Sequence, residues 1–304
     1  MSDLIKIKTI SQVHNFFGIE KPKHPLVTLL ELNNKFRQMG LSHIHYTSEL
    51  YQITFKSSNC PHIRYGRNTY DYQEGTLLFM GPGQTLQIDL DEDDITSDYG
   101  SWALLFHPDL IRKSELGKII DKYAFFSYNV NEALHVSEEE KKLLEDIISR
   151  IVKEYSQNID KHSQELIVSQ IKLLLDYCSR YYDRQFHTRS NLNKDIVVDF
   201  EQLLKEYFNS ENLSEKGIPS VKYFSKALNL SSYYLSDLLK KETGRNTQEY
   251  IHFYIIERAK TTLLNSNNSV SQIAYDLGFE YPQHFSKLFK NKTGMSPKEY
   301  RKIN

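Results

Sequence analysis

The sequence predicts an α+β fold in which a small β-barrel and a helical segment precede an all-α domain. Segments of strand character, separated by glycine and proline, occupy the chain up to about residue 107. Helical periodicity replaces them over about residues 137–186. Beyond residue 188 the chain carries a duplicated helical module. We therefore expect two domains, residues 1–187 and 188–304.

Length and composition indicate a globular protein of about two domains. Of the 304 residues, 39% are hydrophobic and 25% are charged. No stretch approaches the roughly 18 apolar residues that a membrane span needs, and no signal-peptide cleavage site follows the first residues. The two cysteines, Cys60 and Cys178, form no CxxC pair. We expect both to be small buried hydrophobic residues in a reduced, cytoplasmic protein.

The charges are unevenly distributed along the chain. Residues 188–304 contain 17 lysines and arginines against 13 acidic residues, whereas residues 1–187 contain 21 against 26. The second domain is therefore basic, although the whole chain has a net charge of −1. A basic domain suits a polyanionic partner, but a surplus this small is also compatible with an evenly solvated surface.

Four segments of the first domain have strand character. Tyr51–Phe55 and Thr85–Leu90 alternate apolar with polar residues, whereas Gly75–Met80 and Trp102–Phe106 are short apolar runs. Such strands predict a small barrel or sandwich. Five aromatic residues could line a ligand pocket inside it or simply fill it: Tyr46, Tyr51, Phe55, Phe79 and Trp102. The sequence names no ligand for such a pocket.

Two amphipathic helices follow the strands. Ser137 has the character of an N-cap, and it precedes three glutamates, which favour the positive end of a helix dipole. Apolar residues then recur at helical spacing as far as Tyr155, and again from Ser163 to about Tyr182. Both apolar faces are compatible with packing inside the domain, and equally with a homodimer seam over residues 137–186.

The second domain contains an internal repeat. Phe224–Leu230 (FSKALNL) reappears as Ile273–Phe279 (IAYDLGF), 49 residues further on. After an insertion of one residue the offset becomes 50, and Leu235–Lys240 matches Phe285–Lys290. Two copies of one small module are too few for a solenoid. We therefore predict two helix-turn-helix units, at about residues 219–244 and 269–294.

The turn and cap residues support this interpretation. Asn229 and Gly278 stand where each turn requires a left-handed backbone, and Gly244 and Gly294 stand where each second helix should end. A helix over about Thr247–Leu264 joins the copies as a rigid spacer. Two such second helices on one face could enter successive major grooves, which are about 34 Å apart.

With these motifs the C-terminal domain resembles the AraC/XylS family of transcription regulators, over about residues 195–304. The resemblance rests on Tyr234–Gly244 (YLSDLLKKETG), Ile273–Phe279, Phe285–Lys290 and Thr293–Arg301 (TGMSPKEYR). It implies sequence-specific binding of double-stranded promoter DNA, usually to activate transcription through RNA polymerase. It also implies a cupin-like first domain that senses a small-molecule effector or forms a homodimer, and Tyr72–Gln84 is similar to a degenerate cupin strand pair. Neither an enzymatic activity nor a cofactor is implied.

Carried over by position, the resemblance assigns base contacts to three residues in each copy: Tyr233, Ser236 and Asp237, then Gln283, His284 and Lys287. Gln283 can donate to and accept from an adenine edge, and Lys287 can donate to guanine. Asp237 departs from the pattern, because a carboxylate only accepts and is repelled by phosphates. We therefore expect the second copy to read more bases. Phosphate contacts are expected from Ser231, Lys240, Lys241, Lys290 and Lys292, at the helix ends.

Two other functional classes stay open at this point. A cupin-type small-molecule or metal enzyme with a DNA-binding tail is the alternative, and His43 and His45 are the most metal-like pair of residues. The third histidine of a metal-binding cupin is replaced by Gln84 or Thr85, and catalytic metals usually have three protein ligands, so we expect no metal. A purely architectural DNA-binding protein is the third hypothesis, which two unlike second helices disfavour.

Overall fold

The computed structural model of the chain describes residues 5–32, 43–57, 75–89, 100–129, 132–210 and 212–302. The chain divides into two compact units, residues 1–188 and 189–304. Cys60 and the residues from Tyr72 to Glu74, which begin the segment similar to a cupin strand pair, lie outside the described residues.

The described strands of the N-terminal unit form two sheets. A three-stranded sheet has the order β1-β3-β6, with β1 at Ile5–Ile7, β3 at His43–Ser48 and β6 at Thr85–Asp89. A five-stranded antiparallel sheet has the order β2-β7-β4-β5-β8, with β2 at Val27–Glu31, β7 at Trp102–Phe106, β4 at Tyr51–Ser57, β5 at Gly75–Met80 and β8 at Leu134–Val136. No ladder between described residues joins the two sheets, so closure into a barrel stays a prediction.

A short helix, α1 (Ile10–Phe16), interrupts the region that the sequence predicts as strands only. The prediction was wrong here because a local capping signal overrides the strand pattern. The hydroxyl of Thr9 accepts from the backbone N–H of Gln12, and the Gln12 side chain accepts from the N–H of Thr9. This reciprocal pair is a capping box, which satisfies two N–H groups at a helix start.

The two faces of the five-stranded sheet have different environments. Ile53 and Leu77 on one face are fully buried, and on the same face the ring of Phe79 lies 6.0 Å from that of Tyr182 on a long helix. The other face is turned toward the three-stranded sheet, because its residue Met80 shares a core cluster with Tyr46 of β3. The strand alternation thus separates a helix-facing side from an inter-sheet side.

Helices follow the sheet in sequence. Short helices α2 (Pro108–Ile111) and α3 (Glu115–Ile119) lead to two long ones, α4 (Glu138–Tyr155) and α5 (Ser163–Thr188). The predicted cap of α4 is confirmed, since Ser137 accepts from the N–H of Glu140 and the Glu140 carboxylate accepts from the N–H of Ser137. Helix α5 continues past its predicted end near Tyr182.

The apolar stripes of α4 and α5 belong to the core of the N-terminal unit. Leu144 and Ile151 of α4 are buried, as are Ile171 and Leu175 of α5. Leu166, at the start of the predicted stripe of α5, is exposed, but these four residues belong to the expected dimer seam. Because they are already covered within one chain, they are not available to a second copy.

The described residues of the C-terminal unit form eight helices. These are α6 (Ser190–Asn209), α7 (Asn212–Lys216), α8 (Val221–Ala227), α9 (Ser232–Thr243), α10 (Thr247–Asn265), α11 (Val270–Asp276), α12 (Pro282–Thr293) and α13 (Pro297–Arg301). Phe224 from the first repeat, Ile255 from α10 and Phe285 from the second repeat belong to one buried cluster. Both repeats and the joining helix therefore share a single hydrophobic core.

Candidate nucleic-acid interface

Two pairs of helices repeat the same geometry. Helices α8 and α11 each have 7 residues, and helices α9 and α12 each have 12. The turn inside the first pair covers residues 228–231, whereas the turn inside the second covers 277–281. Leu230 and Phe279 both donate their N–H to the first helix of their pair, to the carbonyls of Ser225 and Ala274. The inserted residue of the second turn is therefore Glu280.

Each turn contains one residue in the left-handed conformation, as predicted. The backbone φ angle is 54° at Asn229 and 83° at Gly278. No other non-glycine residue among those described has a positive φ. Asparagine and glycine tolerate this conformation better than other residues. The sequence could predict it because the requirement is local to a single residue.

The C-terminal ends of α9 and α12 are equivalent as well. Gly244 and Gly294 have φ angles of 77° and 80°, and their N–H groups donate to the carbonyls of Lys240 and Lys290. Both glycines are thus helix caps, which confirms the prediction.

Each of these second helices buries one face and exposes the other. Leu235 and Leu239 of α9 and Phe285 and Phe289 of α12 are completely buried. The opposite faces are polar. A major groove admits an α-helix whose exposed side chains can reach base edges.

The residues predicted to contact bases are unequally exposed. Tyr233 on α9 has 57% of its surface exposed, and Gln283, His284 and Lys287 on α12 are exposed. Asp237 is half-buried. Ser236 is also half-buried, and its hydroxyl donates to Oγ1 of the fully buried Thr247 at 3.1 Å. The first pair therefore presents less polar surface than its sequence suggests.

The residues predicted to contact phosphates fall into two groups. Lys240, Lys241, Lys290 and Lys292 are exposed near the C-terminal ends of α9 and α12. Ser231 is only 9% exposed, and its hydroxyl accepts from the N–H of Tyr234 at 3.1 Å. Its hydroxyl is therefore an N-cap, a role that stabilises a helix by about 1 kcal/mol.

Tyr281 is a surface residue that the sequence analysis missed. It precedes α12 as its N-cap residue, it is 47% exposed, and its side chain makes no capping hydrogen bond. Its ring meets that of His284 edge-on, with centroids 5.4 Å apart and planes at 67°. Pro282 carried a usable signal, because proline favours the first position of a helix and so marks the preceding residue as its cap.

The charge of Lys292 acts on the neighbouring helix α10. Burial, together with the positive charge of Lys292, holds the pKa of the His252 imidazole below its usual range, while Glu249 acts in the opposite direction. Lys290 and Lys292 thus place positive charge at the C-terminal end of α12, and the charge of Lys292 acts as far as His252.

Helix α10 is fixed at both ends. Near its start, the hydroxyl of Tyr250 donates to the carboxylate of Glu201 on α6. At its end, Arg301 of α13 donates through Nε to the carbonyl of Leu263 at 3.3 Å and through Nη2 to the carbonyl of Asn268 at 2.6 Å. These contacts hold the joining helix in place between the two pairs.

The five aromatic residues predicted to line a ligand pocket do not surround one common cavity. Phe55 and Trp102 stack at 5.6 Å, and Phe79 packs on Phe125 at 4.4 Å. Tyr46 lies on the other sheet, where its hydroxyl donates to Oε1 of Gln52 at 2.9 Å.

Strand pairing explains this separation. Tyr51 lies opposite Phe106 and Phe55 lies opposite Trp102, so both pairs share the helix-facing side of the five-stranded sheet. Tyr46 is on the inter-sheet side. Of the four rings on the helix-facing side, Phe55 and Trp102 are buried in the core, whereas Tyr51 and Phe79 are half-buried. The indole Nε1 of Trp102 is buried without an acceptor among the described residues.

No three His, Cys, Asp or Glu side chains come together as a metal site within the described part of the chain. His43 and His45 begin β3, and their side chains lie outside that part. Cys178 is fully buried, as predicted, and burial raises the pKa of its thiol. None of the described helices combines the length and the apolar composition needed to cross a membrane.

A family model described as a helix-turn-helix domain matches residues 224–303. The chain is 26% identical to the uncharacterised transcriptional regulator YijO of Escherichia coli over 266 residues, covering 83% of this chain and 89% of YijO. It is 40% identical to the transcriptional activator RhaS of Escherichia fergusonii over 63 residues, 21% of this chain and 23% of RhaS. A solved regulator from Chromobacterium violaceum, described as having an AraC-type DNA-binding domain, is 27% identical over 30% of this chain and 83% of that one, with a TM-score of 0.26.

The family match and the repeated motifs concern the same residues. The matched segment begins at Phe224, in the first helix pair, and ends beyond Arg301, whose side chain donates a hydrogen bond to the C-terminal end of α10. It therefore includes both left-handed turns and both glycine caps. The similarity to YijO, which is named as a transcriptional regulator, extends over most of the chain. Residues 224–303 therefore form a helix-turn-helix domain of the kind found in these regulators, and the chain is a DNA-binding regulator of transcription.

Proposed function

We propose that this regulator recognises a defined, asymmetric promoter site with the exposed faces of α9 and α12, which we call the reading helices. The observation that carries the proposal is that these two helices have equal length, and that each has a buried apolar face and an exposed polar face. Their exposed side chains differ, so the two halves of the site should differ too. Activation is supported by the relative RhaS, which is named as an activator. An activator would act through RNA polymerase.

The joining helix has a suitable length for this arrangement. At 1.5 Å per residue, the 19 residues of α10 measure about 28 Å. Successive major grooves on one side of B-DNA are about 34 Å apart. A rigid spacer of this size supports placement of the reading helices in neighbouring grooves, on a site with two elements about ten base pairs apart.

The second reading helix should contribute more of the sequence preference. Gln283 can form two hydrogen bonds with an adenine edge, and Lys287 can donate to guanine O6 or N7. On the first reading helix, Tyr233 is exposed but the hydroxyl proton of Ser236 is already donated to Thr247. Asp237 can accept from cytosine N4 only.

Lysines near the ends of the reading helices should bind phosphates rather than bases. Lys240 and Lys241 follow the first reading face, and Lys290 and Lys292 follow the second. Phosphate contacts position a protein on DNA and make its affinity dependent on salt. Ser231 could add its backbone to such a contact, since its hydroxyl caps α9.

Selection of bound fragments from a random DNA pool tests this proposal. We expect the full-length protein to enrich a motif with two unlike elements. Lys287→Ala should lose preference in one element only, by about 1–3 kcal/mol at the affected base pair. Lys205→Ala, which removes an exposed lysine of α6, is the matched control and should leave the motif unchanged. Enrichment of no motif at any salt concentration would contradict the proposal.

We also propose that the N-terminal unit controls the regulator by pairing with a second copy. Most residues of the predicted stripes are buried, but Leu166 of the predicted stripe of α5 is 49% exposed, and Leu173, seven residues further on, is 40% exposed. Two turns of helix separate them, so they lie on one side. Such a row can pair with the same row of another copy.

Sedimentation of the full-length protein tests the pairing. Leu166→Asp combined with Leu173→Asp should convert a dimer into a monomer without loss of helical content. Ile159→Asp is the control, because Ile159 is 57% exposed but lies between α4 and α5. A wild-type protein that is monomeric at all concentrations would rule this proposal out.

A small-molecule effector would need a site other than the five aromatic residues. We propose the inter-sheet side of the five-stranded sheet, where Lys56 lies opposite Thr76 and Thr76 lies opposite His135. All three are half-buried, and Thr76 Oγ1 lies 3.3 Å from His135 Nδ1. A basic residue, a hydroxyl and an imidazole in one row suit a small acid.

Thermal unfolding in the presence of small carboxylic and phosphoric acids tests this assignment. An effector should raise the melting temperature of the wild-type protein but not that of Lys56→Met. The exposed Lys23 supplies the control substitution, Lys23→Met. Equal stabilisation of wild type and Lys56→Met would contradict the site.

A further inference from the structure

Most helices of the C-terminal unit begin in the same way, and α6 and α12 are exceptions: α6 follows Arg189, whose side chain makes no capping hydrogen bond. Five of them follow a residue whose side chain accepts from a backbone N–H: Ser220, Ser231, Asn246, Ser269 and Ser296. Helix α12 follows Tyr281, whose side chain makes no such bond. Serine and asparagine are strongly preferred at this position and tyrosine is not. Helix stability therefore does not explain why a tyrosine stands there.

The position of Tyr281 points to a role at the surface. Its side chain is 47% exposed, although tyrosine has a large apolar ring. The ring of His284 holds it edge-on, with a centroid distance of 5.4 Å. His284 itself is exposed, next to Gln283 and one turn before Lys287. An aromatic pair thus stands at the edge of the second reading face.

We propose that the Tyr281 ring contacts the C5-methyl group of a thymine, and that His284 positions it. Major-groove readers recognise thymine by apolar contact with this methyl group, which no other base carries. An edge-on partner orients an aromatic ring, so little conformational freedom is lost on binding. Tyr281 is then a specificity-determining residue of the second half of the site. This inference rests on the proposed function, in which α12 enters the major groove.

Replacing thymine by deoxyuridine, one position at a time, tests the contact because it removes only the methyl group. The DNA is the site selected by the full-length protein. At one position in the second element, we expect the wild-type protein to bind the uracil site about fourfold more weakly, as expected for loss of one buried carbon. Tyr281→Phe should keep this difference, and Tyr281→Ser should bind both sites equally.

The serine variant separates a contact with DNA from a structural role. Serine is a good cap, so Tyr281→Ser should unfold at the same temperature as the wild type or higher, while losing thymine discrimination. Tyr275→Ala is the matched control, since Tyr275 is a 53% exposed tyrosine on α11, and it should keep the discrimination.

Two results would overturn the inference in different ways. In the first, the wild-type protein selects a motif, but replacing thymine by uracil changes the affinity of the wild type and of Tyr281→Ser equally at every position. Tyr281 then does not contact thymine, and the proposed function stands. If the wild-type protein selects no motif, the proposed function fails and this inference fails with it.

Discussion

A Cβ atom on Gly278 would lie 3.1 Å from the carbonyl carbon of Gly217, so the turn of the second helix pair packs directly on the connection between α7 and α8. The same added atom would lie 2.7 Å from Cδ1 of Leu213. Gly278 also has a φ angle of 83°. Two independent requirements, close approach and a left-handed backbone, therefore meet at this residue.

Gly278→Ala should destabilise the protein by about 2–5 kcal/mol, because the left-handed backbone costs about 1–2 kcal/mol and the overpacking about 1–3 kcal/mol. Denaturant unfolding of the full-length protein measures this. Asn229→Gly, at the equivalent position of the first turn, is the comparison, and it should change stability by no more than about 0.5 kcal/mol. A Gly278→Ala variant as stable as the wild type would show that the turn is not held against Gly217.

Arg301→Ala should destabilise the C-terminal unit by about 1.5–3 kcal/mol. The substitution removes the charged group that donates hydrogen bonds to the carbonyls of Leu263 and Asn268. Hydrogen exchange should become faster at the end of α10. Lys298→Ala removes an exposed charge from the same short helix and serves as the control. Equal exchange rates at Leu263 in both variants would contradict the role assigned to Arg301.

Ser231 should behave as a cap more than as a phosphate ligand. Ser231→Ala should cost about 1 kcal/mol of stability, whereas Ser231→Asn should keep most of it, because asparagine also caps helices. If the hydroxyl had its main role on DNA, Ser231→Asn would weaken binding as much as Ser231→Ala while remaining stable. Thermal unfolding and DNA binding at one fixed salt concentration decide between these outcomes.

The imidazole of His252 should report contact between Lys292 and phosphate. Burial and the charge of Lys292 lower its pKa, so the folded state favours the neutral ring. The associated stability is present at neutral pH and above, and is lost as the pH falls through the ordinary titration range of histidine, where the unfolded chain takes up the proton first. Lys292→Ala should raise the pKa of His252 and reduce this loss.

Binding of DNA should raise the same pKa, because a phosphate beside Lys292 offsets its charge. An NMR titration of the His252 ring in free and DNA-bound protein measures the change. A pKa that moves in Lys292→Ala but not on DNA binding would show that Lys292 contacts no phosphate.

Much of the DNA-binding unit could be predicted because its signals are local. The left-handed turns depend on the single residues Asn229 and Gly278, and the helix ends depend on Gly244 and Gly294. The repeat is visible when one part of the sequence is aligned with another. Its one-residue insertion corresponds to the longer second turn. Such features require no knowledge of distant contacts.

Side chains whose role depends on distant partners could not be assigned in this way. Ser236 looks like a reading residue in sequence, but the packing of α9 against α10 brings its hydroxyl to Thr247. The aromatic residues of the first domain look like a pocket, but strand pairing distributes them over two sheets, with Tyr46 apart from Phe55.

The sequence by itself determined the resemblance to a family of regulators, the repeat, the turns and the caps, because each depends on residues close together in the chain or on a direct match between segments. The tertiary structure alone decided which apolar faces are covered and which polar groups remain exposed. It buried most of the predicted seam of α4 and α5, and it left Leu166 of that seam and Tyr281 at the surface. The physical reason is that burial is a property of the partner surface, which periodicity within one helix or strand does not specify.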